Sequence, residues 1–429
     1  MRVHLQTLGC RLNEAELETW SRDFRAKGFE LAKEIGDADL VVINTCAVTQ
    51  ESVRKSRNLI RRAQRSNPQA KLIMSGCYAA LSPEQAADEL GVDLVVSNQE
   101  KDRLVEIAQQ ALSLPTMPYS ATEPGENALL QRNRQRAFIK VQDGCRYRCT
   151  YCIVTIARGE ERSRSLSDIV DEINVLHKQG VQEVVLAGVH LGGYGSDLGL
   201  SLDDLIEAVL ANTQIPRIRL GSLEPWDLPT DFWRLFSNKR LMPHLHLPIQ
   251  SGADSVLRRM SRRCRTDEFS ALIEQAREKV PNFIVTTDII VGFPGETEEE
   301  WQETLDYVEH IQFAHVHIFA YSAREGTKAA TLSLPVSREI KRERSQQLHK
   351  LTARHKRETL EKNLALDFDV LIEGKAQALE NGVLRWSGYT PNFLRVHIDS
   401  PDNLKNHLVN IHTTSITAEG EALLASIND

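Results

Sequence analysis

The chain has 429 residues, 41% of them apolar, and a formal net charge of −7. That length supports two or three domains with real cores, and the composition excludes disordered and fibrous classes. No apolar run is long enough to span a bilayer and Met1–Thr7 lacks the features of a secretory signal, so the chain reads as cytoplasmic, with no membrane partner. An acidic chain that binds nucleic acid must do so through a local basic patch.

In chain order, the first part alternates strands and helices. Val3–Leu8, Leu40–Asn44, Lys71–Ser75 and Leu94–Val96 are strand-like. Glu14–Lys27 carries Leu17, Trp20 and Phe24 at helical spacing, and Val53–Arg65 and Pro83–Leu90 are further helices. This predicts an α/β multi-domain protein that opens with a small doubly wound sheet over 1–115. Pro115, Pro118, Pro124 and Gly125, in a stretch without period, predict a linker over 116–135.

A second series spans 136–365. Its strands are Phe138–Val141, Glu183–Ala187, Arg217–Gly221, His244–Ile249, Ile284–Val291 and His315–Ala320. Helices Leu166–Gln179, Leu202–Thr213 and Thr266–Val280 lie between them, which predicts a partial (β/α)6 barrel. Ser337–Asn363 is a helical extension with nine Lys/Arg against four Glu. Residues 366–429 carry strands Phe368–Ile372, Leu394–Ile398 and Leu408–Thr413, with turn signals at Glu373-Gly374 and Asn381-Gly382, and read as a small β-barrel.

The seven cysteines carry the chemistry. In a reducing compartment clustered cysteines point to metal or catalysis rather than disulfides. Cys145, Cys149 and Cys152 stand at C-x3-C-x2-C spacing just after the first barrel strand. Three thiolates so spaced can ligate three irons of a 4Fe–4S cube and leave the fourth iron open, whereas a zinc site closes with four ligands. Cys10, Cys46 and Cys77 each follow a strand of the first domain. In a parallel sheet all three tips share one carboxyl edge, and Gly9 and Gly76 allow close backbone approach there. One such cysteine alone is most often a buried, inert residue; three at neighbouring tips suggest a second cluster.

Cys145-Arg-Tyr-Arg-Cys149-Thr-Tyr151-Cys152 resembles the radical S-adenosylmethionine superfamily. With the N-terminal cysteines, the whole chain is similar to the radical S-adenosylmethionine methylthiotransferase family. Ala157-Arg158-Gly159, Leu186–His190, His246–Gly252, Val291–Thr297 and Gly388–Asn392 support the likeness. The resemblance implies two 4Fe–4S clusters, S-adenosylmethionine as cofactor and a C-terminal barrel of the TRAM type. It implies that the barrel cluster generates a 5′-deoxyadenosyl radical and the N-terminal cluster delivers sulfur. It further implies an electron donor such as flavodoxin or ferredoxin, and the tRNA anticodon arm as partner. The opening Thr7–Glu16 looks like the branch that methylthiolates C2 of threonylcarbamoylated adenosine beside the anticodon. The alternatives are an isopentenyladenosine branch, a branch acting on a ribosomal-protein aspartate and, from a different class, a non-catalytic RNA-binding protein with structural metal. Two positions depart from the family pattern: Thr155-Ile156 stand where Pro-aromatic is usual, and Cys264 where Tyr is. Cys264, alone at a helix start, reads as structural.

Tyr151, Glu224, Gln250 and Gly292 are candidate contacts to the cofactor, each with a plain turn or structural role as its alternative. His190 and His246 read as hydrogen-bonded structural histidines. For RNA, a helical wheel puts Arg54, Arg57, Arg61, Arg62 and Arg65 on one side of a segment without acidic residues. Arg132, Arg134, Arg136 and Lys140 form a second basic set, and Arg258–Arg265 a third. The C-terminal barrel, with four Lys/Arg against nine Asp/Glu over 364–429, is the poorer RNA reader.

Overall fold

The computed structural model describes residues 1–114, 135–379 and 382–428. The expected linker lies almost wholly outside these residues, and Arg132 and Arg134 with it. The N-terminal sheet has five parallel strands in the order Glu30–Leu31, Arg2–Thr7, Leu40–Thr45, Lys71–Gly76, Leu94–Val95. Every residue of Leu40–Thr45 is buried, as a central strand covered on both faces requires. Helix Arg11–Ala26 lays Leu17, Trp20 and Phe24 on one face, and helix Gln50–Ser66 lays Leu59, Ile60 and Ala63 on the other. Thr49 caps the second helix by accepting from the Ser52 amide. The edge strand Glu30–Leu31 and helix Leu104–Ala111 are additions to the sequence reading; two residues carry no period, and eight barely do.

The second unit is the expected six-stranded parallel arrangement. Arg136–Lys140, Glu183–Ala187 and Arg217–Leu220 form one sheet, and His244–His246, Ile284–Val291 and His315–Ala320 another. Bridges Ile218–Leu241 and Ser222–His246 join the two. The fourth strand stops at His246 rather than at Ile249. Pro248 brings no amide to the ladder, and the Thr287 hydroxyl takes the Ile249 amide at 3.0 Å. No helix among the described residues is long and apolar enough to cross a membrane.

Helix Arg338–Glu361 packs on the last barrel strand, and its cations are largely committed. Buried Arg344 donates to Glu296 at 2.7 Å and to Glu298 at 3.0 Å. Fully buried Trp301 joins this helix to helix Glu298–Ile311, its indole donating to Gln347 Oε1 at 2.6 Å. Trp301→Ala should cost about 3–5 kcal/mol and lower the thermal unfolding midpoint. An unchanged midpoint would mean that the helix is not anchored there.

Residues 367–427 form a closed barrel in the order Asp367–Ala378, Leu384–Tyr389, Arg395–Ser400, Leu423–Ile427, Leu408–Ile416. Glu373-Gly374 makes no turn. It lies inside the first strand at a register shift, and the Gly374 amide donates to Gln135 Oε1 at 3.0 Å. Asn381 lies outside the described residues. This barrel is bolted to the strand Arg217–Leu220 through its two arginines. Arg217 donates to the Thr390 carbonyl at 3.0 Å, and Arg219 to the Thr390 and Pro391 carbonyls at 2.8 Å each. Glu183 pairs with both guanidiniums, at 2.8 and 2.9 Å.

Candidate metal centre

The three cysteine-bearing strands of the N-terminal sheet are neighbours, so their carboxyl tips meet. Gly9 and Gly76 make this possible. At φ +110 a Cβ on Gly9 would come within 2.9 Å of Cys46 Sγ, and at φ +95 one on Gly76 would strike the Thr45 carbonyl at 2.3 Å. Cys77 opens the short helix Cys77–Leu81. Cys46 and Cys77 are buried, and Cys10 is the exposed member. Burial pushes the Cys46 thiol up, and the nearby Cys77 adds to it.

The second set sits on a loop after strand Gln142–Asp143. The Cys152 amide donates to the Cys149 carbonyl at 3.0 Å and the Cys145 amide to the Gly159 carbonyl at 3.1 Å, so the loop is closed by its own backbone. Thr155, at the departure from the family pattern, donates to the Tyr147 carbonyl at 3.0 Å, and Ile156 beside it is exposed. Burial and mutual repulsion push the Cys145 thiol up to about 12 and that of Cys152 to about 11. Such thiols become thiolates only when a cation joins them, which is what an iron cluster provides. Arg262 reaches to 3.9 Å from Cys149 Sγ and stacks on Trp226 at 4.3 Å.

The two sets are joined by a buried ionic junction that the sequence reading did not anticipate. Arg158, 1% exposed, donates to Glu16 and Asp143 at 2.9 Å each and to Asn13 at 2.7 Å. Lys101 pairs with the same Glu16 and lies 3.4 Å from Asp143. Burial opposes the charge on both carboxylates, but Arg158, Lys101 and Lys140 outweigh it and hold them below the usual carboxylate range. Above this junction the first turn of helix Gln50–Ser66 meets the barrel, the Gln50 amide donating to Ser322 at 3.3 Å. A cavity of about 200 Å³ opens between them. Val48 and Thr49 form its N-terminal wall; Tyr151, Cys152, Gln250, Asp288, Phe319 and Tyr321 are among its barrel walls.

Tyr151 and Gln250 thus line one cavity with Cys152, and Gln250 holds a left-handed φ of 83 there, a conformation that costs energy for any residue but glycine. Glu224 is off this cavity, beside Cys145. Its buried Oε2 has no hydrogen-bond partner among the described residues, and burial raises its pKa. Gly292 does not face the cavity: Lys341 covers it, and its amide donates to Glu296 at 2.8 Å. His190 is fully buried among three carboxylates, Asp227 at 2.6 Å and Glu224 at 3.7 Å from Nε2 and Glu161 at Nδ1, which outweigh burial and raise its pKa. His246 is oriented by Thr286 at 2.9 Å and faces Asp288 at 3.1 Å. Buried Cys264 donates to the Arg265 carbonyl within the barrel core.

The basic sets separate. Arg54, Arg61, Arg62 and Arg65 are exposed. Arg54 pairs with Glu51, just outside the segment that lacks acidic residues. Arg57 is turned to Tyr78, donating to its hydroxyl at 2.8 Å. Arg136 corrects the sequence reading. It donates to Glu373 at 2.8 Å and lies over Tyr389 at 4.8 Å, so it serves the barrel–barrel contact and not a free RNA face. Lys140 is likewise spent on Asp102 and Asp143. Arg134 lies outside the described residues.

The radical SAM superfamily profile matches residues 139–308, and that described as uncharacterized protein family UPF0004 matches residues 2–97. The Thermotoga maritima protein named threonylcarbamoyladenosine tRNA methylthiotransferase MtaB is 38% identical over 351 residues, 80% of each chain. The protein of the same name from Bacillus subtilis is 33% identical over 95% of this chain and 93% of its own. The chain belongs to the radical SAM methylthiotransferase family. A Staphylococcus saprophyticus tRNA-2-methylthio-N6-dimethylallyladenosine synthase is 31% identical over 95% of this chain and 82% of its own. Among solved structures, the radical S-adenosylmethionine methyltransferase TsrM of Kitasatospora setae shares the fold, with TM-score 0.55 and 16% identity over 77% of each chain. Radical SAM methylthiotransferases use S-adenosylmethionine and a 4Fe–4S cluster, and the crowded thiols of the Cys145 loop suit such a cluster.

Proposed function

We propose that this chain is a cytoplasmic enzyme that converts N6-threonylcarbamoyladenosine, beside the anticodon of tRNA, to its 2-methylthio derivative. The observation that carries the reading is the pair of three-cysteine sets on either side of one junction, in a chain whose relatives named MtaB match over most of its length. Cys145, Cys149 and Cys152 hold the radical-generating cluster, and Cys10, Cys46 and Cys77 hold a second 4Fe–4S cluster for sulfur delivery. When bound, the first cluster and S-adenosylmethionine supply a 5′-deoxyadenosyl radical. Glu224 suits the cofactor's ammonium: its buried Oε2 accepts no hydrogen bond among the described residues and has His190 Nε2 only at 3.7 Å, so a donor cation can complete it. Tyr151 and Gln250 bound the space beside Cys152, and Val48 and Thr49 close it from the Cys46 side, which keeps water from the reacting base. The electron comes from a donor such as flavodoxin or ferredoxin. Mass spectrometry of tRNA nucleosides from cells lacking the protein tests the reading: the 2-methylthio derivative should vanish and its unthiolated precursor accumulate. Loss of 2-methylthio-N6-dimethylallyladenosine instead would reassign the substrate.

The anticodon arm is held by the exposed face of helix Gln50–Ser66, which starts four residues after Cys46. Arg61 and Arg62 make no ion pair among the described residues, and Arg65 donates only to the Arg61 carbonyl. Phosphate contacts supply most non-specific affinity, so Arg61, Arg62 and Arg65 changed together to Glu should weaken tRNA binding strongly. Each lost contact should flatten the log–log salt slope by roughly 0.7 to 0.9. Equal binding at matched salt would move the RNA-holding role to the exposed arginines of 258–265 or to the C-terminal barrel.

A further inference from the structure

We propose that Arg158 is a positioning residue for the N-terminal cysteine centre: it fixes the loops of Cys10 and Cys46 to the radical-generating loop and sets the local charge that the sulfur-delivering cluster feels. This rests on the reading that Cys10, Cys46 and Cys77 hold a cluster.

The mechanical half follows from hydrogen bonds. Arg158 ends the short helix Val154–Arg158, which begins two residues after Cys152. Its Nη2 donates to Asn13 Oδ1 at 2.7 Å. Asn13 in turn donates to the Leu8 carbonyl at 2.6 Å and the Thr45 carbonyl at 3.1 Å. Those carbonyls lie two residues before Cys10 and one before Cys46, and Cys10 Sγ lies 3.7 Å from the same Asn13 oxygen. The third thiol is reached by packing, since helix Cys77–Leu81 lies against Val154–Arg158, and Ala157 shares a core with Cys77 and Tyr78. Asn98 locks the partner helix by donating to the Ala157 carbonyl at 2.7 Å. One guanidinium from the barrel thus determines where the N-terminal thiols stand. A guanidinium is needed because only its planar fork can serve Glu16, Asp143 and Asn13 together.

The electrostatic half follows from what surrounds it. Arg158 lies within electrostatic reach of Cys10 and Cys77, and Glu16 acts on Cys10 with the opposite sign. Arg158, Lys101 and Lys140 together balance Glu16, Asp143 and Asp102, charge for charge. Three thiolates added to this balanced set place their charge against Arg158. In a water-excluded site such a charge acts strongly. Arg158 therefore favours the more reduced, more negative centre, and Glu16 disfavours it.

The test is an EPR-monitored redox titration of the full-length chain, reconstituted anaerobically with iron and sulfide. Cys145, Cys149 and Cys152 are changed to Ala throughout, so that only the N-terminal centre is read. Arg158→Gln should shift its potential down and Glu16→Gln should shift it up. A purely structural disturbance would move both the same way. Arg158→Lys keeps the charge, so its potential should stay near that of the parent. With the barrel cysteines restored, Arg158→Lys should form 5′-deoxyadenosine at the parent rate yet give several-fold less methylthiolated nucleoside per 5′-deoxyadenosine formed. Shifts of one sign in Arg158→Gln and Glu16→Gln, or none in either, would overturn the proposal. Should Arg158→Gln fail to fold, Glu16→Gln and Arg158→Lys decide it: an unmoved Glu16→Gln potential sinks it. If the parent binds no iron at all, the two-cluster reading fails, and this proposal with it.

Discussion

Exchange of Cys145, Cys149 and Cys152 for Ala removes reductive cleavage of S-adenosylmethionine entirely and leaves about half the iron, roughly four atoms of eight. The loss is complete because no other described cysteine approaches this loop: Cys264 is buried in the barrel core and donates to its neighbour's carbonyl. The variant still folds, since the loop is closed by backbone hydrogen bonds from Cys152 to Cys149 and from Cys145 to Gly159, neither of which needs a thiol. The three thiols are half-buried, and those of Cys145 and Cys152 are uncharged without metal, so the apo-protein should lose little stability. The measurement is 5′-deoxyadenosine formed under dithionite, beside an iron count. Residual 5′-deoxyadenosine above the cofactor's spontaneous breakdown would place the radical chemistry elsewhere.

The complementary exchange, Cys10, Cys46 and Cys77 to Ala, leaves cofactor cleavage near the parent rate and takes methylthio transfer to zero. Glu224, Tyr151 and Gln250 belong to the barrel and keep their places when the N-terminal thiols go. The buried junction also survives, because Arg158 binds Asn13, Glu16 and Asp143 and none of the three cysteines is its hydrogen-bond acceptor. Radical formation and sulfur insertion therefore come apart. Methylthiolated nucleoside from this variant, at any level above the empty reaction, would remove the N-terminal centre from the mechanism.

What the sequence made legible is local. Glu183–Ala187, Ile284–Val291, His315–Ala320 and helix Pro83–Leu90 stand within their expected bounds because apolar period and flanking breakers are read within a few residues. Meeting strand tips were legible for the same reason: Gly9-Cys10 and Gly76-Cys77 each close an apolar run. Pairings distant in sequence were not. Arg136 and Lys140 look like a basic patch because the Glu373 that claims Arg136 lies 237 residues away, and the Asp102 that claims Lys140 lies 38 away. Strand Leu423–Ile427 was missed although it turns back on Leu408–Ile416 across Glu419-Gly420, a local signal that the sequence reading passed over; its parallel pairing with Arg395–Ser400 leaves no local mark. Arg158 was visible as part of a motif, but its partners arise from helix Arg11–Ala26 and strand Gln142–Asp143, on two different sheets.

The bolting of the C-terminal barrel onto Arg217, Arg219 and Glu183 has a metric consequence. Arg217 and Glu183 open their strands and Arg219 follows two residues on, whereas the cysteine loop and the cavity lie beyond the strands' other ends. Strand Ile284–Val291 spans eight residues, or about 26 Å at 3.3 Å per residue. The two ends are held apart by a stiff parallel sheet and by guanidinium-to-carbonyl bonds that leave no hinge. The chain is therefore a caliper with fixed jaws. The C-terminal barrel can approach the cavity only by breaking those bonds, so none of its residues lines the space beside Cys152.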